Sequence, residues 1–397
     1  MNHSKATHTS YSLKIIIFSI PFLMGIGIDL YVPSLPRITS YFHSNSHQVQ
    51  MTIALYMLGY GIGQFILGIA SDSFGRRKIL LLSGMLFTLM SIAAVFSANI
   101  TLLNICRFFQ GIGIAGLAVV ARAIMVDIFT KKHLANALIY FGLSWSLGPI
   151  LGPFIGGYLQ HYFDWQASFY LFAIFGFALT LYAYLTLPET HTQRQKFSII
   201  LLKNNFQTLL SSKVFLFTSI IGGIGYSIPV IFNTVGPYLV ENLLNYSAIM
   251  YGKIALTLGI AYCVGSLTNR YLTRKLMTTT ILLIGLVATF LFSLALLLLS
   301  YIFNTHLLII VIPTAIIIFF CGFIVPSTLT KSMSLYPKIA GTSSSLFGFI
   351  SSTVISLIIF FESHLKMNTL LPMGYTFLIM ISIAILLYFI TALNPKR

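Results

Sequence analysis

The chain has 397 residues, of which 57% are hydrophobic and only 8% charged, with a formal net charge of +16. A soluble domain carries about a quarter charged residues, so this chain cannot cover a water-facing surface, and its mean hydropathy of +0.92 agrees. The composition excludes a soluble enzyme and a basic nucleic-acid-binding domain, and predicts an all-α integral membrane protein.

A short polar head, MNHSKATHTS, leads into the first apolar stretch with no small-residue cleavage site. That first span is therefore expected to stay in the mature protein. Runs of about 20 apolar residues then recur, as bilayer-crossing helices require. Twelve spans are predicted, at 13–34, 48–70, 78–98, 101–126, 135–159, 165–187, 213–236, 249–269, 277–302, 306–330, 340–361 and 370–391. An even number puts both termini on one side. If that side and the even-numbered connections are cytoplasmic, 19 Lys and Arg fall there and three (Arg37, Lys253 and Lys366) fall opposite, with Arg107 inside a span. Such a bias sets the orientation, and the net charge then reflects topology and anionic lipid at the inner face.

Residues 188–212, PETHTQRQKFSIILLKNNFQTLLSS, are polar and basic. They read as a cytoplasmic linker loop between an N-terminal six-helix bundle (1–187) and a C-terminal one (213–397). The halves show a faint repeat: Gly68, Asp72, Arg76 and Arg77 answer to Gly265, Asn269, Arg274 and Lys275. Two similar six-helix halves describe a transporter with its site at the midplane between them. Cys106, Cys263 and Cys321 have no disulfide or metal spacing, and no metal site is expected. Gly111-Ile-Gly113-Ile-Ala-Gly116 matches G-x-G-x-x-G but lies inside an apolar span, where close helix packing explains it and a nucleotide site does not.

Asp29 is the only acid well inside a predicted span. An intramembrane carboxylate is costly and functional by default, and it suits alternate binding of a proton or a cationic substrate. The plainer alternative is a residue that ends span 1 before Pro33. Arg107 is the only base well inside a span, about 9 Å deep at 1.5 Å per residue. Its depth is comparable to that of Asp29, so the two are candidates for a pair, either coupled to protons or static.

Four motifs carry a resemblance. Gly68-x-x-x-Asp72-x-x-Gly75-Arg76-Arg77 resembles the loop 2–3 motif of the major facilitator superfamily, with Ser73 where a base is usual. Arg107-Phe-Phe-Gln110-Gly111 resembles its R-x-x-Q-G motif. Gly148-Pro149-x-x-Gly152-Pro153-x-x-Gly156-Gly157 resembles the antiporter motif of proton-coupled exporters. Asp29-Leu-Tyr31-Val-Pro33-Ser-Leu-Pro36 resembles the D-x-Y-x-P-x-x-P of the bicyclomycin/chloramphenicol resistance branch, and Ala340-Gly341-Thr342 also looks like that branch. Val126-Asp127 departs from the branch's Arg-Asp, and Arg122, one turn earlier, is the candidate substitute.

The resemblance implies a fold of two pseudo-symmetric six-helix bundles, a multi-pass place in the bacterial inner membrane and a monomer. It implies no cofactor beyond the proton gradient. It also implies that Gly68, Asp72, Gly75, Arg76, Arg77 and Arg122 form a conformational latch, with Asp72 capping a helix start, pairing with Arg122 or facing Gly341. A plain basic loop that sets topology is the alternative. The span 5 glycines and prolines are implied to seal against proton leak, or else simply to pack. Tyr31, Tyr56, Tyr60, Gln64, Gln110, Tyr140, Trp145, Tyr226, Asn233 and Tyr238 are the candidate substrate contacts, although any single one of them fits plain helix packing or the interfacial aromatic belt at least as well. Span 7, IGGIGYSIPVIFNTVGPYL, is interrupted by glycine and proline, which in transporters marks a binding region. The expected function is proton-coupled export of amphipathic small molecules. A siderophore or other metabolite exporter is the rival, and a non-transporting membrane sensor a remote one. A membrane enzyme is not expected: His161, His306 and His364 sit near outer span ends, with no catalytic cluster.

Overall fold

A computed structural model describes residues 3–129, 131–190, 199–303, 306–336, 339–365 and 369–393. Arg194, Lys196, Lys338, Lys366, Lys396 and Arg397, all counted in the charge asymmetry, lie outside the described residues.

Every regular element among the described residues is helical. Span 1 is a helix, His3–Asp29, followed by a 3-10 turn at Val32–Ser34 and a short helix Leu35–Tyr41. Spans 2 to 6 are Ser46–Phe74, Arg76–Val95, Ile100–Ile128, Lys131–Phe163 and Gln166–Thr186. Span 7, Lys213–Pro237, runs on as a π-helical turn at Tyr238–Leu243. Spans 8 to 12 are Ala248–Leu272, Thr278–Ile302, Leu307–Leu335, Ala340–Glu362 and Leu371–Leu393. Among the described residues, eleven helices are long and apolar enough to cross a membrane. Span 5, at 33 residues, has the length as well. The twelve predicted spans are thus present, and apolar run length alone locates them. The stretch read as a linker loop differs in part: residues Ile199–Ser211 form a helix.

Several helix starts are fixed by short polar side chains that take up free backbone N–H groups. Asn45 and Gln48 form a reciprocal capping box at span 2. Asn99, Ser212 and Ser247 cap spans 4, 7 and 8.

The two halves repeat one packing scheme. Spans 1 and 5, 2 and 4, 3 and 4, and 3 and 6 pack together, and so do 7 and 11, 8 and 10, 9 and 10, and 9 and 12. The repeated glycines play matching parts. Gly68 faces Val119 of span 4, and Gly265 abuts the Phe319 backbone of span 10. The halves meet chiefly through spans 5 and 8 and spans 2 and 11.

Hydrogen bonds across this interface gather on the side away from the basic loops. Thr39 and Tyr238 share a hydroxyl contact of 2.9 Å. Gln50 Nε2 reaches the Thr234 carbonyl at 3.4 Å. His47 Nδ1 meets Ser363 Oγ at 2.6 Å. This far-side seal contrasts with the basic side, where a side-chain carbon added at Gly142 or Gly341 would meet nothing within 4 Å. Spans 2 and 11 stay in contact as deep as Phe65 and Phe349, whose ring centres are 5.9 Å apart.

Close approach of spans 1 and 5 depends on glycine. Gly148 lies against the backbone of Gly25, and a side chain on Gly156 would run into the Leu30 carbonyl oxygen. Forced overpacking costs about 1–3 kcal/mol. Gly156→Ala is therefore expected to lower the thermal midpoint of the purified protein in detergent, whereas Gly142→Ala, made in open space, leaves it unchanged.

Candidate functional site

The site begins where span 1 breaks. Pro33 and Pro36 lack N–H groups and cannot continue the hydrogen-bond ladder, so the α-helix stops at Asp29 and restarts at Leu35. Asp29 is left at a helix end, 2% exposed. Its carboxyl accepts a hydrogen bond from the Asn233 amide of span 7, in the opposite half. Asn233 Oδ1 in turn accepts from the Tyr251 hydroxyl of span 8 at 3.1 Å. Gly152 of span 5 packs directly on Asp29, 3.3 Å from its Cβ to an added carbon.

Arg107 is fully buried, and it does not ion-pair with Asp29 in this conformation. Its guanidinium lies between the rings of Tyr31 and Tyr56, 4.3 and 4.1 Å from their centres. Nη2 donates to the Gly27 carbonyl at 3.1 Å and Nη1 to Gln110 Oε1 at 2.9 Å. Gln110 passes the chain on to Ser91 at 2.7 Å. Two aromatic faces and a carbonyl thus replace the expected carboxylate partner. The direct Asp29–Arg107 pair becomes a linkage through span 1, from Gly27 to Asp29.

Two clefts lie between the halves, with about 580 and 620 Å3 of empty space including the open solvent at their mouths. Trp145 of span 5 and Tyr226 of span 7 line both, their rings 5.8 Å apart. The first cavity holds Asp29 and Asn233, with Pro149 and Tyr262. The second holds Tyr56, Tyr60 and Gln64, with Ser351 and Ser352. Among the predicted substrate contacts, Tyr56, Tyr60, Gln64, Trp145, Tyr226 and Asn233 therefore converge. Four stand elsewhere. Tyr31 bonds Thr52 at 2.7 Å and stacks on Arg107. Gln110 is held by Arg107 and Ser91. Tyr140 is half exposed and packs on Phe18. Tyr238 belongs to the far-side seal. Ser351, Ser352 and Tyr262 were not anticipated; a serine pair inside an apolar span was the available signal.

The basic-side motif forms a network within one half. Gly75 has φ +99°, as its tight turn requires. Arg76 Nη1 reaches Asp72 and, at 2.7 Å, Ser71 Oγ, while Nε reaches Asp127 at 3.1 Å. Asp72 does not cap the helix start as expected. Glu189, from the beginning of the linker stretch, accepts the backbone N–H groups of Arg76 and Arg77 at 2.9 and 3.3 Å. A carboxylate is favoured at a helix N-terminus, where free N–H groups and the helix dipole point at it. Arg77 donates to the Tyr184 carbonyl at 2.8 Å. Arg122 leans on the Ala118 carbonyl at 3.4 Å rather than on Asp72.

A family model described as Major Facilitator Superfamily matches residues 17–360. The chain belongs to that superfamily. It is a membrane transporter and not an enzyme. An uncharacterized transporter of Rickettsia felis is 31% identical over 389 residues, covering 93% of each chain. A bicyclomycin resistance protein homolog of Haemophilus influenzae is 28% identical over 100% of this chain and 99% of its own. The crystal structure of a D-xylose–proton symporter superposes with a TM-score of 0.75 at 14% identity, covering 96% of both chains. At that identity the likeness concerns the fold, and it places the superfamily's twelve-helix arrangement on this transporter.

One fork-shaped side chain serves three acceptors in the basic network. A lysine keeps the charge but cannot reach Ser71, Asp72 and Asp127 together. Arg76→Lys is expected to destabilise by about 1–3 kcal/mol, read as a lowered thermal midpoint, while Lys78→Arg has no effect.

Proposed function

We propose that this transporter exports bulky amphipathic small molecules from the cytoplasm in exchange for protons, with Asp29 as the exchanging carboxyl. The observation that carries this reading is the placement of Asp29. It is buried in the wall of an aromatic cavity and tied to the opposite half by the Asn233 amide. A carboxyl in such a place is stable when it binds either a proton or a cationic group of the cargo. Whichever one it holds changes the bond to Asn233, and with it the contact between halves. Arg107, one helical step away on the Gly27 carbonyl, stabilises charge on Asp29 at a distance. The cavity walls supply aromatic and aliphatic surface with few polar groups, which suits loose recognition of drug-sized molecules. The names of two relatives favour the same cargo. One is the bicyclomycin resistance homolog. The other is the multidrug resistance protein MdtL of Shewanella oneidensis, 26% identical over 67% of each chain.

In this reading the chain is a monomer in the bacterial inner membrane, driven by the proton gradient without a cofactor. Both termini and the 188–212 linker are cytoplasmic, with bundles at 1–187 and 213–397 rocking about the cavity. The described conformation then faces the cytoplasm. Asp72, 55% exposed in its side chain, and the open surroundings of Gly341 are the pieces left to meet when that side closes.

The test uses a host stripped of its own efflux pumps, with growth inhibition measured across a panel of amphipathic antibiotics. Wild type is expected to raise inhibitory concentrations several-fold and Asp29→Asn, at matched expression, to raise none. Resistance from both proteins removes Asp29 as the exchanging group. Resistance from neither moves the cargo to an endogenous metabolite. If Arg107 tunes Asp29, Arg107→Ala changes the pH dependence of transport, and an unchanged profile sinks that part. Trp145→Ala is expected to merge the two cavities and shift resistance toward larger compounds.

A further inference from the structure

A second buried carboxyl lies on the far-side seal. Glu362 ends span 11 and is 2% exposed. Its Oε2 is 3.2 Å from Thr234 Oγ1, and its Oε1 has no partner. Gln50 of span 2 sits on the same residue: its amide nitrogen holds the Thr234 carbonyl at 3.4 Å while its own Oε1 is buried without a partner. Among the described residues no Lys or Arg pairs with Glu362. The titratable groups around it are His47, bonded to the adjacent Ser363, and His364 stacked on His47 at 4.1 Å. Asp29 lies one link away through Asn233, and Lys366 lies outside the described residues.

Hydrogen counting shows how little supports charge on this group. Thr234 has one hydroxyl proton, and its shorter contact, 2.8 Å, runs to the Ile231 carbonyl, the usual back-bond of a helical threonine. That same hydroxyl is the donor within reach of Glu362 Oε2, and its single proton serves only one of the two acceptors at a time. An ionised carboxylate would hold at most that one shared donor, with Oε1 buried and unpartnered and, among the described residues, no Lys or Arg paired with it. A protonated carboxyl donates to Thr234 Oγ1 and fits.

We propose that Glu362 is a second proton-binding site, on the far-side seal, which closes the seal when protonated and opens it when ionised. The coupling route is the Asn233–Thr234 pair of span 7. Consecutive residues hold the two carboxyls, Asn233 on Asp29 and Thr234 on Glu362. An outward shift of this turn releases both. The proposal deepens the proton-coupled reading of Asp29, and its direct measurements do not depend on any cargo.

The first measurement is infrared difference spectroscopy of the full-length protein in lipid, between acidic and alkaline buffer, following the protonated-carboxyl stretch. Glu362→Gln is expected to remove one titrating component and Asp29→Asn a different one. Thr234→Val keeps shape and removes the hydroxyl, so it should shift the Glu362 component and leave the other. It also serves if Glu362→Gln folds poorly. The second measurement labels Thr39→Cys, in the seal, with a membrane-impermeant maleimide after Cys106, Cys263 and Cys321 are changed to Ser. Rates are normalised to the denatured protein at each pH. Labelling should rise several-fold with pH, stay low and flat in Glu362→Gln, and keep its rise in Asp29→Asn. An unchanged spectrum in Glu362→Gln overturns the site. A lost component with an unchanged labelling profile overturns the gate. Loss of the Glu362 component alone, with Asp29→Asn spectrally silent, sinks the Asp29 reading and leaves this one standing.

Discussion

A charged group inside an apolar medium must find its partner in the protein, and the hydrogen bond from Asn233 to Asp29 is where this chain meets that demand across its two halves. Much of the surrounding architecture follows from placing that bond. Span 1 must end at Asp29, which the prolines at 33 and 36 enforce. Span 5 must come close enough to exclude lipid and water, which Gly148, Gly152 and Gly156 permit. Span 7 must present an amide at the same depth, and its partner Tyr251 holds that amide in orientation.

The seal built around this bond is modest by design of its chemistry. Its polar contacts are neutral hydrogen bonds, each worth about 1 kcal/mol net, between Thr39 and Tyr238, Gln50 and Thr234, and His47 and Ser363. A handful of them gives a difference of a few kcal/mol, the range in which a ligand or a proton can shift a two-state equilibrium. The basic-side network is different in kind. Arg76, Asp72, Asp127 and Glu189 bind one half to itself. It ties the ends of spans 2, 3 and 4 to one another within the N-terminal half.

Sequence made the spans legible because the bilayer imposes a length and a composition on each one. The same logic singled out Asp29 and Arg107, since charge inside an apolar run stands out against its neighbours. It did not reveal their partners. Nothing in an apolar run says that Tyr31 and Tyr56 clamp Arg107, because aromatics are common in every span. Glu362 escaped notice by sitting at a span end, where acids are ordinarily solvated. Glu189 was hidden in a polar stretch in which any acid reads as surface. The helix at Ile199–Ser211 is amphipathic but, at 13 residues, too short to register as a span, and it lies inside a polar, basic connection. The cavity was half legible: Tyr56, Tyr60, Trp145 and Tyr226 line it, whereas Tyr140 and Tyr238, of the same chemistry, face elsewhere. Span membership gives depth in the membrane, but the direction a ring points depends on packing with helices far away in sequence.

The separation of Asp29 from Arg107 has its own physical sense. A buried carboxylate bound directly to arginine gains a strong, well-directed pair, and breaking it would leave two uncompensated charges. Such a pair holds one state and resists exchange. Here the cation is satisfied by ring faces, a glycine carbonyl and Gln110, and the acid by a neutral amide. Asn233 orients the carboxyl without neutralising it, which in the proposed exchange leaves it open to a proton or a cationic cargo. The arginine, held on the Gly27 carbonyl two residues along span 1, adds a positive charge nearby without pairing directly. Glu362 repeats the arrangement in simpler form, with a hydroxyl in place of the amide and, among the described residues, no Lys or Arg paired with it. Because both acids hang from adjacent residues of span 7, the protein need move only one turn of helix to change the surroundings of both.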